Sequence, residues 1–179
     1  MLPSLPSAEI VFGICAPIGV DTAKVYTLLS EALKKYEYGS AYFKVTELMK
    51  SAKPIGAVLH ESPIEDRYDS YINYANRIRE IFGLNYALSM FCCAALRNYR
   101  RAFHNGEDKP IAAQAYVFDQ FKRKEELDLL RQVYGRLFIV ISVYSERTTR
   151  QQNMVSRIAS DHADARLADD HKAIASKGT

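Results

Sequence analysis

"VFGICAPIGVDTAK" (residues 11–24) runs from an apolar stretch through a glycine, a proline and a second glycine into a small polar cluster. Its reading decides the fold. The leading part, "EIVFGIC" (9–15), is rich in β-branched and aromatic residues and apolar at successive positions, as a central parallel strand buried on both faces should be. The part that follows, "DTAKVYTLLSEALKKY" (21–36), has helical spacing. Asp21 or Thr22 is its N-cap, Val25, Leu28, Leu29 and Leu33 form an apolar stripe, and lysines stand at the end where the helix dipole favours them. A strand that turns tightly into a helix is the frame of a phosphate-binding loop, in which backbone N–H groups converge on an anion at a helix N-terminus.

The loop departs from the usual G-x-x-x-x-G-K-[ST] pattern. In the register of residues 16–23, Ala16 takes the place of the first glycine, Asp21 of the second, Thr22 of the lysine and Ala23 of the hydroxyl, with Gly19 in the middle of the turn. The candidate phosphate-binding residues are Gly13, Ala16, Gly19, Asp21, Thr22 and Lys24. The competing reading is a plain strand-to-helix turn capped by Asp21 or Thr22.

Downstream, "SAYFKVTEL" (40–48) alternates as a second strand. Residues 50–67 read as a loop or a short irregular helix. "RYDSYINYANRIREIFG" (67–83) is a helix with Tyr71, Tyr74, Ile78 and Ile81 on one stripe. "NYALSMFCCAALRNYRRAF" (85–103) is a more buried helix that turns Leu88, Phe91, Cys92, Ala95 and Leu96 inward. "IAAQAYVFDQF" (111–121) is a strand with Asp119 at its end. "KEELDLLRQVYG" (124–135) is a helix closed by Gly135, "RLFIVISVYS" (136–145) a strand, and "ERTTRQQNMVSRIASDH" (146–162) a helix. Strands alternating with helices predict an α/β fold, a three-layer parallel sheet flanked by helices. The expected organisation is a loose lead-in at 1–8, a folded domain at 9–160 and a frayed polar tail at 161–179.

Composition narrows the function. Apolar residues make up 48% and charged residues 25% of 179, enough for one packed core, and the net charge of +3 is too weak to indicate nucleic acid. The three cysteines, Cys15, Cys92 and Cys93, form no disulfide pattern, which fits a cytoplasmic protein. No apolar run approaches the roughly 20 residues of a membrane span. His60, His104, His162 and His171 lack metal-ligand spacing, so no zinc site is expected.

Two further features complete the candidate site. Asp119, at the C-terminal end of an apolar strand, stands where an α/β sheet gathers its ligands and where a Mg²⁺-bound water or a base would be held. Its competing role is to cap the next helix. Arg147 and Arg150, at helical spacing after the last strand, point over the same edge and are candidates to clamp phosphates. A solvated helix face is the alternative.

Several stretches together resemble one family. "EIVFGICAPIGVDTAKVYTLLSEALK" (9–34) is similar to the start of the bacterial anti-phage deoxycytidine-nucleotide (dCTP/dCMP) deaminases. "YINYANRIREIFG" (71–83) resembles that family's G-N-x-L-R helix, with Asn76 and Arg79 in place and Ala75 for the glycine. "AAQAYVFDQFKRKEELDLLRQVYGRLFIVISVYSERTTR" (112–150) is similar to the family's strand, E-x-x-L-R-x-V-Y-G helix and final strand, with Gly135, Tyr144, Ser145 and Arg150 in register.

The resemblance implies an N-terminal P-loop kinase-like domain that binds ATP or a deoxycytidine nucleotide with Mg²⁺. The family's zinc motifs, H-x-E and P-C-x-x-C, do not occur in this chain. It is therefore expected to be that domain alone, truncated or free-standing, without deaminase activity. The expected partners are a nucleotide and either a deaminase domain or a second copy. The alternatives are an active small nucleoside or nucleotide kinase with a non-standard loop, and a silent interaction module.

Overall fold

A computed structural model describes the backbone of residues 8–177 and the side-chain surroundings of residues 8–163. Most of the expected lead-in, residues 1–7, lies outside the described residues. The chain forms β1 (Ile10–Cys15), α1 (Thr22–Lys34), β2 (Gly39–Lys44), α2 (Val45–Leu48), α3 (Ile64–Phe82), α4 (Ala87–Phe103), β3 (Gln114–Phe121), α5 (Lys124–Tyr134), β4 (Phe138–Ser142) and α6 (Arg147–Lys177). Among the described residues the strands make one all-parallel sheet in the order β2-β3-β1-β4. The α/β expectation, a parallel sheet flanked by helices, holds.

The period-2 alternation of strand side chains divides the core in two. Phe12 and Ile14 of β1, with Ala115 and Val117 of β3, face α1 and its Val25, Leu29 and Leu33. Val11 of β1 and Tyr116 and Phe118 of β3 face the other way. There they meet Tyr71, Tyr74 and Ile78 of α3, Leu88, Cys92 and Leu96 of α4, and Leu130 of α5. β1 and β3 are thus covered on both sides, which is why their sequences are apolar at successive positions. Gly13 belongs to this packing. A Cβ there would stand 2.8 Å from the Phe138 ring and 3.1 Å from the Phe121 ring, so the glycine lets two aromatic rings close over β1.

Several expectations need correction. The second strand stops at Lys44, and residues 45–48 are helical. Lys44 opposite Asp119 is its last paired residue, so the strand ends where its only neighbour turns away. The third helix begins at Ile64 rather than 67, because Asp161 of α6 accepts a hydrogen bond from the Ile64 backbone N–H at 2.8 Å and caps it. Leu28 and Ile81 leave their expected apolar stripes and are 58% and 52% exposed. Tyr26 does the packing on α1 instead, stacked on Tyr42 of β2 with ring centroids 4.4 Å apart. α6 runs from Arg147 to Lys177, and the last two residues of the expected tail lie outside the described residues.

Two ion pairs, one buried and one half-buried, tie helices to each other and to the residue before β1. Arg79 of α3 donates to Glu126 of α5 at 2.5 Å, and the other Glu126 oxygen accepts the backbone N–H groups of Lys122 and Arg123 at 3.1 and 3.2 Å. Breaking such a pair costs about 3–5 kcal/mol, because the remaining partner is left buried and charged. Glu9, just before β1, accepts from Arg100 of α4, from the Ile111 backbone N–H at 2.8 Å and from the Tyr116 hydroxyl at 2.7 Å. Burial alone would raise the Glu9 carboxyl. The bonds from Arg100, Ile111 and Tyr116 outweigh it and hold the group below its ordinary value of 4.5.

A carboxyl depressed in the folded state stabilises above its unfolded pKa and loses that contribution as pH falls through its folded pKa. Glu9→Gln is therefore expected to lower stability by about 1.5–3 kcal/mol at pH 7, the loss of charge-assisted hydrogen bonds. The gap to wild type should close progressively below about pH 4.5. Urea unfolding of both proteins across this range checks it, and a gap independent of pH would contradict it.

Candidate functional site

β1 and β3 are adjacent and parallel, but the chain leaves them in opposite directions. α1 follows β1 on one face and leads to β2. α5 follows β3 on the other face and leads to β4. Such a switch opens a crevice outside the carboxyl ends of the two strands, and this is where an open α/β sheet offers a site. The β1–α1 loop, residues 16–21, and the end of β3 line it.

Asp119 is at the centre of this crevice. It is 6% exposed, and its Oδ2 accepts two hydroxyl hydrogen bonds, from Thr22 at the start of α1 at 2.7 Å and from Tyr42 of β2 at 2.5 Å. Its Oδ1 is fully buried with no hydrogen-bond partner. Leaving a buried acceptor unpaired costs about 1–3 kcal/mol, and in native folds such an atom calls for an explanation such as a bound ion, water or reacting group. Burial, followed by the bond to Asp119, pushes the Tyr42 phenol far above its ordinary range, so Tyr42 remains a donor at any physiological pH.

Thr22, the residue read at the lysine place of the phosphate-loop pattern, thus turns its hydroxyl to Asp119. Asp21 caps α1 by accepting from the Lys24 backbone N–H at 3.2 Å. Gly19 has φ +89°, and a Cβ there would lie 2.6 Å from the Arg150 carbonyl oxygen, so no side chain fits. Asn153 of α6 donates to the Gly19 carbonyl at 2.9 Å, which fixes the turn from above.

The remaining candidates divide. Ala16 is buried at the start of the loop. Arg147 and Arg150 come together, lining with Ile18, Met154 and Val155 a shallow cleft of about 460 Å³ beside the loop, though the Arg150 Nε is engaged with the Ser145 carbonyl at 3.2 Å. Lys24 is exposed on the first turn of α1. Gly13 is not in the loop. It sits mid-strand under the Phe138 and Phe121 rings, where the Cα of glycine serves packing. Asn76 and Arg79 do not reach the crevice either. The Asn76 Oδ1 accepts from Arg79 and Arg123, both at 3.2 Å, and ties α3 to the start of α5.

Three residues absent from the sequence expectations belong to the site. Tyr42 looked like one more aromatic on an alternating strand. Gln120 donates through Nε2 to the Ala16 carbonyl at 3.0 Å, and the Lys122 ammonium donates to the same oxygen at 2.6 Å. The lysine was legible in "DQFKRK", but only the β1–β3 pairing shows that it returns to the loop. Burial lowers the Lys122 pKa even though Asp119 nearby acts to raise it.

A larger cleft, about 790 Å³, runs along α3 and is lined by Asp66, Asp69, Asn73, Arg77 and Glu80 among others. Its carboxylates repel phosphate. Among the described residues, no group of three or more His, Cys, Asp or Glu is placed to hold a metal ion. No described helix is long and apolar enough to cross a membrane. The molecule is thus an α/β domain with an acid–hydroxyl pair at the switch point of its parallel sheet. No protein-family model matches the chain, and no curated protein matches it either.

The Tyr42–Asp119 bond should carry a measurable share of stability. Tyr42→Phe keeps the stack on Tyr26 and removes one hydroxyl donor to a charged acceptor, a loss of about 1.5–3 kcal/mol in urea unfolding. A change below about 0.5 kcal/mol, the scatter of ordinary surface substitutions, would contradict it.

Proposed function

We propose that this domain binds a nucleotide through its phosphates, with the β1–α1 loop as the phosphate cradle, in the manner of a P-loop kinase-like domain. The observation that carries the proposal is the Thr22–Asp119 pair. It joins the first residue of the helix after β1 to a buried acid on the neighbouring strand, and the acid keeps one oxygen unpartnered. A Mg²⁺ ion fits such a pair. Asp119 Oδ1 would accept from a metal-bound water, and the ion when present offsets phosphate charge. The turn at Gly19 and the helix N-terminus it leads into suit an oxyanion.

The same residues favour binding over rapid phosphoryl transfer. An acid, Asp21, stands beside the hydroxyl residue where a phosphate loop has its lysine, so phosphate approaches two carboxylates and needs a metal ion to neutralise them. We propose further that the chain is kin to the N-terminal domains of the anti-phage deoxycytidine-nucleotide deaminases. The motifs quoted above support this. Its role there is that of a nucleotide-binding or regulatory domain without deaminase chemistry.

Calorimetry with ATP, dCTP and dCMP, each with and without Mg²⁺, tests the reading. Heat is expected from the triphosphates in the presence of Mg²⁺, with weaker binding of dCMP, and Asp119→Asn is expected to remove the dependence on the metal. Absence of heat from all three at millimolar concentration would remove the nucleotide site.

A further inference from the structure

A phosphate site that has an acid in its loop needs a cation from elsewhere, and the geometry points to Lys122 as the residue that contacts the terminal phosphates. This assignment rests on the nucleotide reading above. The position of Lys122 follows from strand pairing. β1 and β3 run in register from Ile10 opposite Ala115 to Ile14 opposite Asp119, and then slip by one residue, so that Cys15 lies opposite Phe121. The slip at Gln120 brings Lys122 beside Ala16, the first residue of the loop, and its Nζ lies 2.6 Å from the Ala16 carbonyl. A lysine from just beyond the neighbouring strand thus meets the loop at its first residue.

The partners of Lys122 separate it from the lysines that serve structure. Lys50 pairs with Glu47 and Glu61, and Lys124 pairs with Asp128. Among the described residues Lys122 forms no ion pair. Its ammonium holds one carbonyl, which leaves two of its three protons without a protein acceptor. Nor does that carbonyl depend on it, because Gln120 donates to the same oxygen at 3.0 Å. Lys122 is therefore free to turn to an anion without stranding a buried acceptor.

The second, independent sign of a ligand is Asp119, nine-tenths buried with Oδ1 unpartnered in the same crevice. A ligand with a metal-bound water for Asp119 and phosphate oxygens for Lys122 satisfies both groups. The lowered Lys122 pKa accords with this, since an anion beside a partly desolvated ammonium restores the charged form. The other basic candidates belong to other elements: Arg147 and Arg150 lie on α6, where the Arg150 Nε holds the Ser145 carbonyl, and Lys24 lies on the first turn of α1.

The test is calorimetry on the full chain with three probes, Mg·ATP, Mg·dCTP and inorganic tripolyphosphate with Mg²⁺. Lys122→Met is compared with Lys122→Arg, Lys24→Met and wild type, each first shown to melt like wild type. The expected result is that Lys122→Met weakens every probe that wild type binds by roughly tenfold or more, the loss of a charge-assisted contact. Lys122→Arg should restore most of the affinity, and Lys24→Met should be neutral. Wild type that binds none of the probes overturns the nucleotide reading and this assignment together. Wild type that binds, with Lys122→Met binding equally well, overturns the assignment alone and leaves the nucleotide site standing. Should Lys122→Met melt early, Lys122→Arg and Lys122→Gln decide instead: equal affinity of the two would contradict a charge contact.

Discussion

The bond between the Thr22 hydroxyl and the Asp119 carboxylate joins the two halves of the crevice. It ties the first turn of α1 to β3 across ninety-seven residues of chain, and it does so at the edge where β1 and β3 send their connections to opposite faces. Everything placed around the loop depends on it. Tyr42 adds a second hydroxyl from β2, and the apolar residues of β1 and β3 bury the carboxylate from below. An ionisable group in such a setting is expensive unless its acceptor capacity is used, and half of that capacity is not used by the protein. Among the described residues Asp119 Oδ1 and the Arg79 Nε are the buried side-chain polar atoms left without a partner.

Charge at the loop then follows from what is missing and what replaces it. Asp21 caps α1, which suits the helix end. Cations beside the loop come from other segments: Lys122 from just past β3, and Arg147 and Arg150 from the start of α6. α6 also clamps the turn mechanically, through Asn153 on the Gly19 carbonyl and the Arg150 backbone against the Gly19 Cα. The loop is thus held by contacts from two other segments of sequence, the end of β3 and the start of α6.

The fold was legible because its signals are periodic. β1 and β3 are apolar at successive positions, which marks strands covered on both faces, and the alternation of strands and helices predicts the parallel sheet. Asp119 and Thr22 were legible as candidates because each stands at the end of such an element. Their pairing was not, since ninety-seven residues separate them and no local pattern links the two. Lys122 was invisible as a site residue because its position depends on a one-residue slip between β1 and β3, which no local pattern records. Gly13 misled in the opposite sense: a glycine at the end of an apolar run looks like loop chemistry, yet two aromatic rings require it. Leu28 and Ile81 show the limit of helical stripes, since an apolar residue in phase is left exposed where the neighbouring element does not extend far enough to cover it.

The central claim is that phosphates settle at the β1–α1 loop against Asp119 and Lys122. The most direct measurement is an amide NMR titration of the labelled chain with Mg·ATP and Mg·dCTP, read residue by residue. The account predicts that the backbone N–H signals of Gly19, Val20, Asp21 and Thr22 shift first and furthest, together with those of Asp119 and Lys122. Shifts confined to the cleft along α3, at Asp66, Asn73 and Glu80, with the loop amides unmoved, would contradict it.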